Sequence, residues 1–212
     1  MKVTSYPAGD AGDFAFTPEN QALAEAIIAR YPQGRESSST IALLDLAQRQ
    51  NGGWLSKHAI DYVAGLLQSA PIRVYEVASF YSMFNLAPVG RHLIQVCRTT
   101  PCWLRGSDGL TGACLKKLGV GLREMTEDGA FTVMEVECLG ACANAPMVQI
   151  NDDYYEDLTP ERMAEIIDLL RDGQEVPVGP QTGRLTSAPE GGPRTLLETP
   201  RPAGAAAAAE EV

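Results

Sequence analysis

The segment VECLGACANAPMVQI, residues 136–150, places Cys138 and Cys142 directly after a run with strand character. An earlier segment, VCRTTPC at residues 96–102, repeats the arrangement with its own pair of cysteines. Loops that a rigid sheet holds at the ends of its strands commonly carry functional sites. The sequence therefore predicts that two loops deliver four thiols to one site, and the four candidates are Cys97, Cys102, Cys138 and Cys142.

Sulfur ligands restrict the cofactor that such a site can bind. Thiolates select zinc, copper(I) or iron–sulfur clusters. Four residues separate the first pair, as in the first loop of plant-type [2Fe–2S] proteins, and three separate the second. In a two-iron cluster each iron takes two thiolates, so one pair could serve each iron. The spacing alone favours iron–sulfur only modestly, and a structural zinc site stays open at this point.

The composition argues against several classes of protein. The chain has 212 residues, and 17 basic against 27 acidic side chains give a net charge of −10, which disfavours nucleic-acid binding. No segment approaches the roughly 18 apolar residues that a membrane span needs, and the N-terminus lacks the pattern of a targeting peptide. We therefore expect a cytoplasmic chain. In that reducing compartment disulfides are rare, and a cysteine cluster more often binds metal or does redox work.

The first part of the chain predicts a helical bundle over residues 17–88, after an N-terminal extension at residues 1–16. Thr17 and Pro18 form a helix start, Ser56 caps another helix, and a short helix is expected near residues 74–79. The residues predicted to face the core of the first three helices are Leu23, Ile27, Ile28 and Tyr31, then Ile41, Leu43, Leu44 and Ala47, then Ile60, Val63, Ala64 and Leu67.

Residues 89–173 predict a compact α/β unit. Strands are expected at residues 92–96, 131–137 and 147–150. Helices are expected from Gly109, capped by Ser107 or Asp108, and after the second start signal at Thr159, with one apolar face on the latter helix formed by Met163, Ile166, Ile167 and Leu170. The acidic residues in between are expected in a solvated polar turn; they are Asp152, Asp153, Glu156 and Asp157.

The last segment, residues 174–212, shifts to proline, glycine and alanine. Such a composition buries too little apolar surface to offset the entropy of ordering, so it predicts a flexible tail. We expect deletion of the chain after Gly173 to leave cofactor binding unchanged.

Other residues that bear chemistry fall outside the four-cysteine set. Cys114 lies among leucines on a predicted helix and is expected to be a buried small hydrophobe. No Cys-x-x-Cys, Walker loop or Gly-x-Gly-x-x-Gly follows a strand, which argues against a thioredoxin-type thiol enzyme and against NADH or ATP binding by this chain alone. Candidates for hydrogen bonds or charge near the cysteines are Arg98, Thr99, Thr100 and Asn144, and Trp103 is a candidate shield.

At the cysteine loops the chain resembles the thioredoxin-like [2Fe–2S] subunit of NADH:quinone oxidoreductase, respiratory complex I, which in bacteria is the E subunit. The segment from Val136 to Thr159 is similar to the family's second loop over almost every residue. The similarity extends to residues 96–108, 46–56 and 75–84 and covers about Phe16 to Gly173.

The resemblance implies a fold, a cofactor and partners. The fold would be an N-terminal helical bundle followed by a thioredoxin-like α/β domain. Such domains often hold a cis proline before a strand, as at Pro146, whereas a trans bond is the default for any X–Pro bond, so the isomer stays open. All four cysteines match the family's ligand positions, so one [2Fe–2S] cluster is expected. The partners would be the flavoprotein subunit, which binds FMN and NADH, and the adjacent iron–sulfur subunit of the peripheral arm, on the cytoplasmic face of the inner membrane. The cluster would exchange single electrons with the flavin.

Related proteins offer rival hosts for the same module. An NAD-linked hydrogenase or formate dehydrogenase contains a unit that resembles this subunit. A free thioredoxin-like ferredoxin would have no flavoprotein attached, and a zinc-stapled interaction module would be colourless. The resemblance favours the electron-transfer subunit of complex I.

Overall fold

The computed structural model describes residues 12–189, 191–192 and 195. Its mixed α/β architecture confirms the predicted fold class. The helices are α1 Pro18–Ile28, α2 Thr40–Gln50, α3 Lys57–Leu66, α4 Pro71–Phe80, α5 Thr100–Leu104, α6 Ser107–Leu118 and α7 Pro160–Arg171. The strands are β1 His92–Cys97, β2 Phe131–Val136, β3 Val148–Ile150, β4 Asp153–Glu156 and β5 Gly179–Pro180. Two short 3₁₀ turns, Glu36–Ser39 and Cys142–Asn144, complete the set.

Helices α1 to α4 form the bundle, and their starts follow the local sequence signals. The hydroxyl of Thr17 accepts a hydrogen bond from the Asn20 amide, and that of Ser56 accepts one from the Ala59 amide. Pro71 occupies the first turn of α4, where its missing N–H costs nothing. These caps explain why three of the four helices begin where the sequence indicates a start or a break.

Packing in the bundle confirms most of the predicted core faces but corrects three residues. All four residues of the α3 stripe are buried. Leu23 and Tyr31, however, are 53% and 36% exposed, because α1 ends at Ile28 and turns mainly Ala24 inward. Ile41 is also exposed, while its neighbours Leu43 and Leu44 are fully buried.

The described part of the N-terminal extension packs on this bundle. The rings of Phe14 and Phe16 stack edge-to-face with that of Tyr62, at centroid distances of 5.6 and 5.4 Å. Residues 1–11 of the extension lie outside the described residues.

The five strands form one sheet in the order β2-β1-β3-β4-β5. Strand β1 pairs parallel with β2 and antiparallel with β3, and β3 and β4 form an antiparallel hairpin. Helices α6 and α7 contact each other and pack on the sheet through Leu110, Met163, Ile166 and Ile167, which are fully buried. The bundle and the sheet thus have separate hydrophobic cores. The boundary between residues 88 and 89 stays a prediction.

Three features of the α/β unit differ from the predictions. The first cysteine loop contains a short helix, α5, and α6 begins at Ser107 after Gly106, without a side-chain cap. The acidic residues predicted in a solvated turn lie partly in strand β4, which contains Asp153 and Glu156. Asp157, directly after β4, is buried at 9% exposure.

The described beginning of the C-terminal segment adds a short strand to the sheet, and the flexibility expected of the tail stays a prediction. Residues 179–180 form β5, which pairs parallel with β4. The alanine run at residues 205–209 lies outside the described residues. None of the described helices is long and apolar enough to cross a lipid bilayer.

Candidate metal centre

Two adjacent parallel strands bring the four cysteines to one edge of the sheet. Cys97 is the last residue of β1 and is paired with Val136, the last residue of β2. Cys138 follows two residues after that pair. Because the carboxyl ends of parallel neighbours meet at the same edge, both cysteine loops start side by side.

The first loop buries its two thiols. Cys97 and Cys102 are each 1% exposed, and they pack with Ala145 and Met147. Cys102 lies in α5, a single helical turn with Pro101 in its first positions. This helical turn reverses the direction of the chain and brings the Cys102 thiol beside that of Cys97.

The second loop carries its thiols at the surface. Cys138 and Cys142 are exposed, and their Sγ atoms are 3.5 Å apart. Gly140 between them has φ +89°, a left-handed conformation that favours glycine, so the loop can turn tightly here. After the 3₁₀ turn at Cys142–Asn144, the Ala145–Pro146 peptide bond is cis.

Burial and hydrogen bonds together divide the four thiols into two with a lowered pKa, Cys97 and Cys138, and two with a raised pKa, Cys102 and Cys142. Burial raises the pKa of Cys97, but hydrogen bonds from the Thr99 side chain and from backbone amides outweigh it, so that pKa is lowered. The Gly140 amide is the main cause of a lowered pKa at Cys138. Burial, then the Cys97 thiol, raises the pKa of Cys102 to about 12, and the Cys138 thiol raises the pKa of Cys142.

The predicted supporting residues have mixed outcomes. Thr99 Oγ1 lies 3.4 Å from the Sγ of Cys97, as expected for a hydrogen-bond partner. Arg98 instead pairs with Glu135 at 3.1 Å, and Asn144 donates its amide hydrogens to Thr186 O and Asp157. Trp103, the neighbour of Cys102 in the chain, is 57% exposed.

Two contacts to the second loop were not predicted. The Tyr154 hydroxyl donates a 2.7 Å hydrogen bond to Leu139 O, and the Arg184 guanidinium donates a 2.9 Å bond to Ala143 O. Arg184 also forms an ion pair with Asp157, whose side chain is 5% exposed. Charged residues 27 positions apart leave no local pattern, so sequence periodicity could not have found this pair.

The remaining candidates lie elsewhere, as expected. Cys114 lies on the buried face of α6, in the core of the α/β unit, and burial raises its pKa to about 12. His92 packs against the ring of Phe131 at the start of β1, at the other end of that strand from Cys97.

The donor set fits a binuclear iron–sulfur cluster. Within the described ranges, no three His, Cys, Asp or Glu side chains are arranged to hold a single metal ion. The thiols approach in pairs instead, with Cys138 against Cys142 and Cys97 against Cys102. Pairs suit a [2Fe–2S] cluster because each iron takes two thiolates.

Comparison with known proteins identifies the family. Residues 24–171 match the family model of the thioredoxin-like [2Fe-2S] ferredoxins. The chain is 62% identical over 159 residues to the E subunit of the NADH-quinone oxidoreductase of Rickettsia conorii and 60% identical to that of Rickettsia bellii, in each case over 75% of this chain and 95% of the relative. It is 50% identical over 187 residues to the mitochondrial NADH dehydrogenase [ubiquinone] flavoprotein 2 of Dictyostelium discoideum, covering 88% of this chain and 76% of that protein.

A solved structure shows the same fold in another protein. The NAD+-reducing [NiFe]-hydrogenase in its air-oxidized state superposes with a TM-score of 0.56 at 21% identity, over 64% of this chain and 23% of that one. At that identity the likeness concerns the fold alone. From the match to the family model and the identity to its relatives, the chain belongs to the thioredoxin-like [2Fe–2S] ferredoxin family.

Proposed function

We propose that this chain is the electron-transfer subunit of an NADH:quinone oxidoreductase and that its two cysteine loops hold the [2Fe–2S] cluster. The proposed ligands are Cys97, Cys102, Cys138 and Cys142. The observation that carries the proposal is the meeting of both cysteine pairs at the carboxyl ends of β1 and β2. The relatives at about 60% identity bear the name of this oxidoreductase subunit.

The loops would divide the work of holding the cluster. Cys97 and Cys102 would bind one iron from the protein interior, and Cys138 and Cys142 would bind the other from the surface. When bound, a [2Fe–2S] cluster takes up and returns one electron at a time. The chain's own residues would orient the sulfurs, donate hydrogen bonds to them and exclude water from the buried pair, and these are the factors that set a reduction potential.

The surface around the ligands suits a docking partner. Trp103 and Leu104, directly after Cys102, are 57% and 71% exposed. Adjacent exposed apolar side chains commonly mark interaction sites. The partners in this proposal are the flavoprotein subunit, which holds FMN and NADH, and the adjacent iron–sulfur subunit of the peripheral arm, at the cytoplasmic face of the inner membrane.

We favour this host over an NAD-linked hydrogenase or formate dehydrogenase. The sequence identity to NADH-quinone oxidoreductase subunits is about three times that to the hydrogenase. Affinity purification of the tagged full chain from its own cells tests the choice. Recovery of an FMN-containing flavoprotein with membrane subunits of a quinone oxidoreductase is expected, and recovery of a hydrogenase large subunit would contradict it.

Spectroscopy of the purified full chain tests the cofactor and its ligands first. We expect a red-brown protein with about two irons and two acid-labile sulfides per chain, which becomes paramagnetic on one-electron reduction by dithionite. Visible absorption, EPR and metal analysis provide the readouts. A colourless protein with about one zinc per chain would overturn electron transfer in favour of a structural metal site.

A further inference from the structure

The chain returns to the cysteine site after its last long helix. Residues 174–189, which we call the C-terminal strap, follow α7 and contribute β5, the edge strand of the sheet next to β4. The strap is anchored by the β4–β5 pairing and by a 3.0 Å hydrogen bond from the Gln181 amide to Glu156 O. A turn after Gln181 then brings Arg184 to the second cysteine loop.

Arg184 joins the strap to the backbone that follows Cys142. Its Nη1 donates a 2.9 Å hydrogen bond to Ala143 O, and its Nη2 donates a 2.9 Å bond to Asp157 Oδ1. From the loop itself, the Asn144 side chain donates a 2.8 Å bond to Thr186 O in the strap. The two residues immediately after Cys142 are therefore both tied to the strap.

The burial of these groups distinguishes the pair from the other ion pairs of the described chain. The side chains of Arg184 and Asp157 are 11% and 5% exposed, whereas Arg162 and Glu165, for example, are 32% and 64% exposed. A buried ion pair loses much of its Coulombic gain to desolvation, and its best-attested use is to specify one arrangement. Charge-assisted hydrogen bonds also fix direction, because the guanidinium fork is planar. The pair is thus built to fix the loop's position more than to add stability.

A cavity connects this cluster of contacts to the proposed ligand. Arg184, Arg105 and Cys142 line a cavity of about 300 Å³, together with Pro101, Leu104, Ala143 and Ala145. Arg105 donates a longer, 3.4 Å bond to Ala145 O. Two arginines thus hold carbonyls on the chain segment that begins at Cys142.

We propose that Arg184 is a positioning residue for Cys142, which it holds in place through Ala143 O and through its buried ion pair with Asp157. The inference rests on the ligand set of the proposed function. If Arg184 has this role, the strap is part of the metal centre. The protein truncated after Gly173 should then release iron faster than the full chain, whereas composition alone predicted that cofactor binding would be unchanged. Removal of outer-shell partners of metal ligands typically costs about 10- to 100-fold in metal affinity.

The test compares variants of the cluster-loaded full chain. In Arg184→Met the carboxylate of Asp157 is left buried and unpaired, so we expect a lower Tm as well as roughly tenfold faster iron release to a chelator. The double variant Asp157→Asn/Arg184→Met removes both charges but still lacks the donor to Ala143 O. Its Tm should recover towards wild type while its iron release stays about tenfold faster. The reduction potential and EPR line shape of both variants should differ from wild type.

Arg162→Met provides the matched control. Arg162 bonds to Gln181 in the strap at 3.0 and 3.1 Å but does not reach the cysteine loop, so this variant should release iron at the wild-type rate. Recovery of both Tm and iron retention in the double variant would overturn the proposal, because Arg184 would then serve stability alone. Unchanged release in Arg184→Met, or equal acceleration in Arg162→Met, would overturn it too. A wild-type chain without a [2Fe–2S] cluster would instead refute the proposed function, and this inference with it.

Discussion

Cysteine side chains occupy opposite environments at two places in this chain. Cys114 lies on the buried face of α6, where burial raises its pKa to about 12. Cys138 is exposed and accepts a hydrogen bond from the Gly140 amide that lowers its pKa. Burial alone does not separate ligands from other cysteines, since Cys102 is also buried and its pKa is also raised to about 12. What distinguishes Cys114 is its surroundings: it packs among apolar side chains such as Leu110, whereas each proposed ligand lies beside another thiol.

Serine substitution tests this difference. Cys138→Ser should abolish or strongly alter the visible and EPR spectrum of the bound cluster, since serine removes one proposed iron ligand. Cys114→Ser serves as the control and should leave the spectrum intact. Loss of the cluster in the control would contradict the ligand assignment.

Two glycines are required for different physical reasons. A Cβ on Gly90 would lie 2.5 to 2.7 Å from the backbone of Phe131, whereas one on Gly140 would meet nothing within 4 Å and is opposed only by φ +89°. Gly90→Ala should therefore cost about 3 kcal/mol of the free energy of unfolding, at the upper end for overpacking, and Gly140→Ala about 1 kcal/mol. Urea unfolding of the two variants measures both costs. The reverse order would show that the Gly90 backbone relaxes easily.

At the scale of elements, helix periodicity predicted which face of α3 is buried but not every face of α1 and α2. A stripe with Ile60, Val63 and Ala64 leaves one orientation that buries it. Helix α2 has apolar residues at 41, 43, 44 and 47, and so offers a wider apolar arc than its neighbours cover. Only the packing of α3 and α4 decides that Ile41 stays outside.

Alanine substitution on α2 distinguishes the two sides of this arc. Leu44→Ala should lower the free energy of unfolding by about 2–5 kcal/mol, because it opens a cavity at a fully buried position. Ile41→Ala, at a position 37% exposed, should cost about 1 kcal/mol or less. Denaturant unfolding provides both values. Equal costs would contradict the observed packing of the helix.

On the scale of the whole molecule, an exposed ion pair connects the bundle to the sheet. Arg49 on α2 makes two hydrogen bonds, of 2.8 and 3.0 Å, to the carboxylate of Asp152 in the β3–β4 turn. The hydrogen bond from Arg49 is the main cause of a lowered pKa at Asp152. Both side chains are more than half exposed, so solvent screens the pair and its contribution to stability is small.

Replacement of this aspartate has an effect that depends on pH. Asp152→Asn should lower the free energy of unfolding by less than about 1 kcal/mol at neutral pH. A depressed carboxyl pKa contributes stability above its ordinary value of 3.8 and loses that contribution as the pH falls through the folded-state pKa. The difference from wild type should therefore close below about pH 4, as measured by urea unfolding across pH.

Asp153→Asn is the control for this experiment. It removes the neighbouring charge, which forms no ion pair within the part of the chain that the structure describes. A pH-dependent loss as large in this variant as in Asp152→Asn would show that overall charge, and not the contact with Arg49, accounts for the effect.

Local signals in the sequence predicted the four candidate cysteines, the order of most elements and the family. Strand character before Cys97 and Cys138, the caps at Thr17 and Ser56 and the start at Thr159 each lie within a few residues of what they specify. The tertiary structure alone decided that the strap folds back and that Arg184 pairs with Asp157 beside Cys142. Composition predicts a flexible segment there, and the free energy that orders it comes from partners distant in the chain, which no local pattern records.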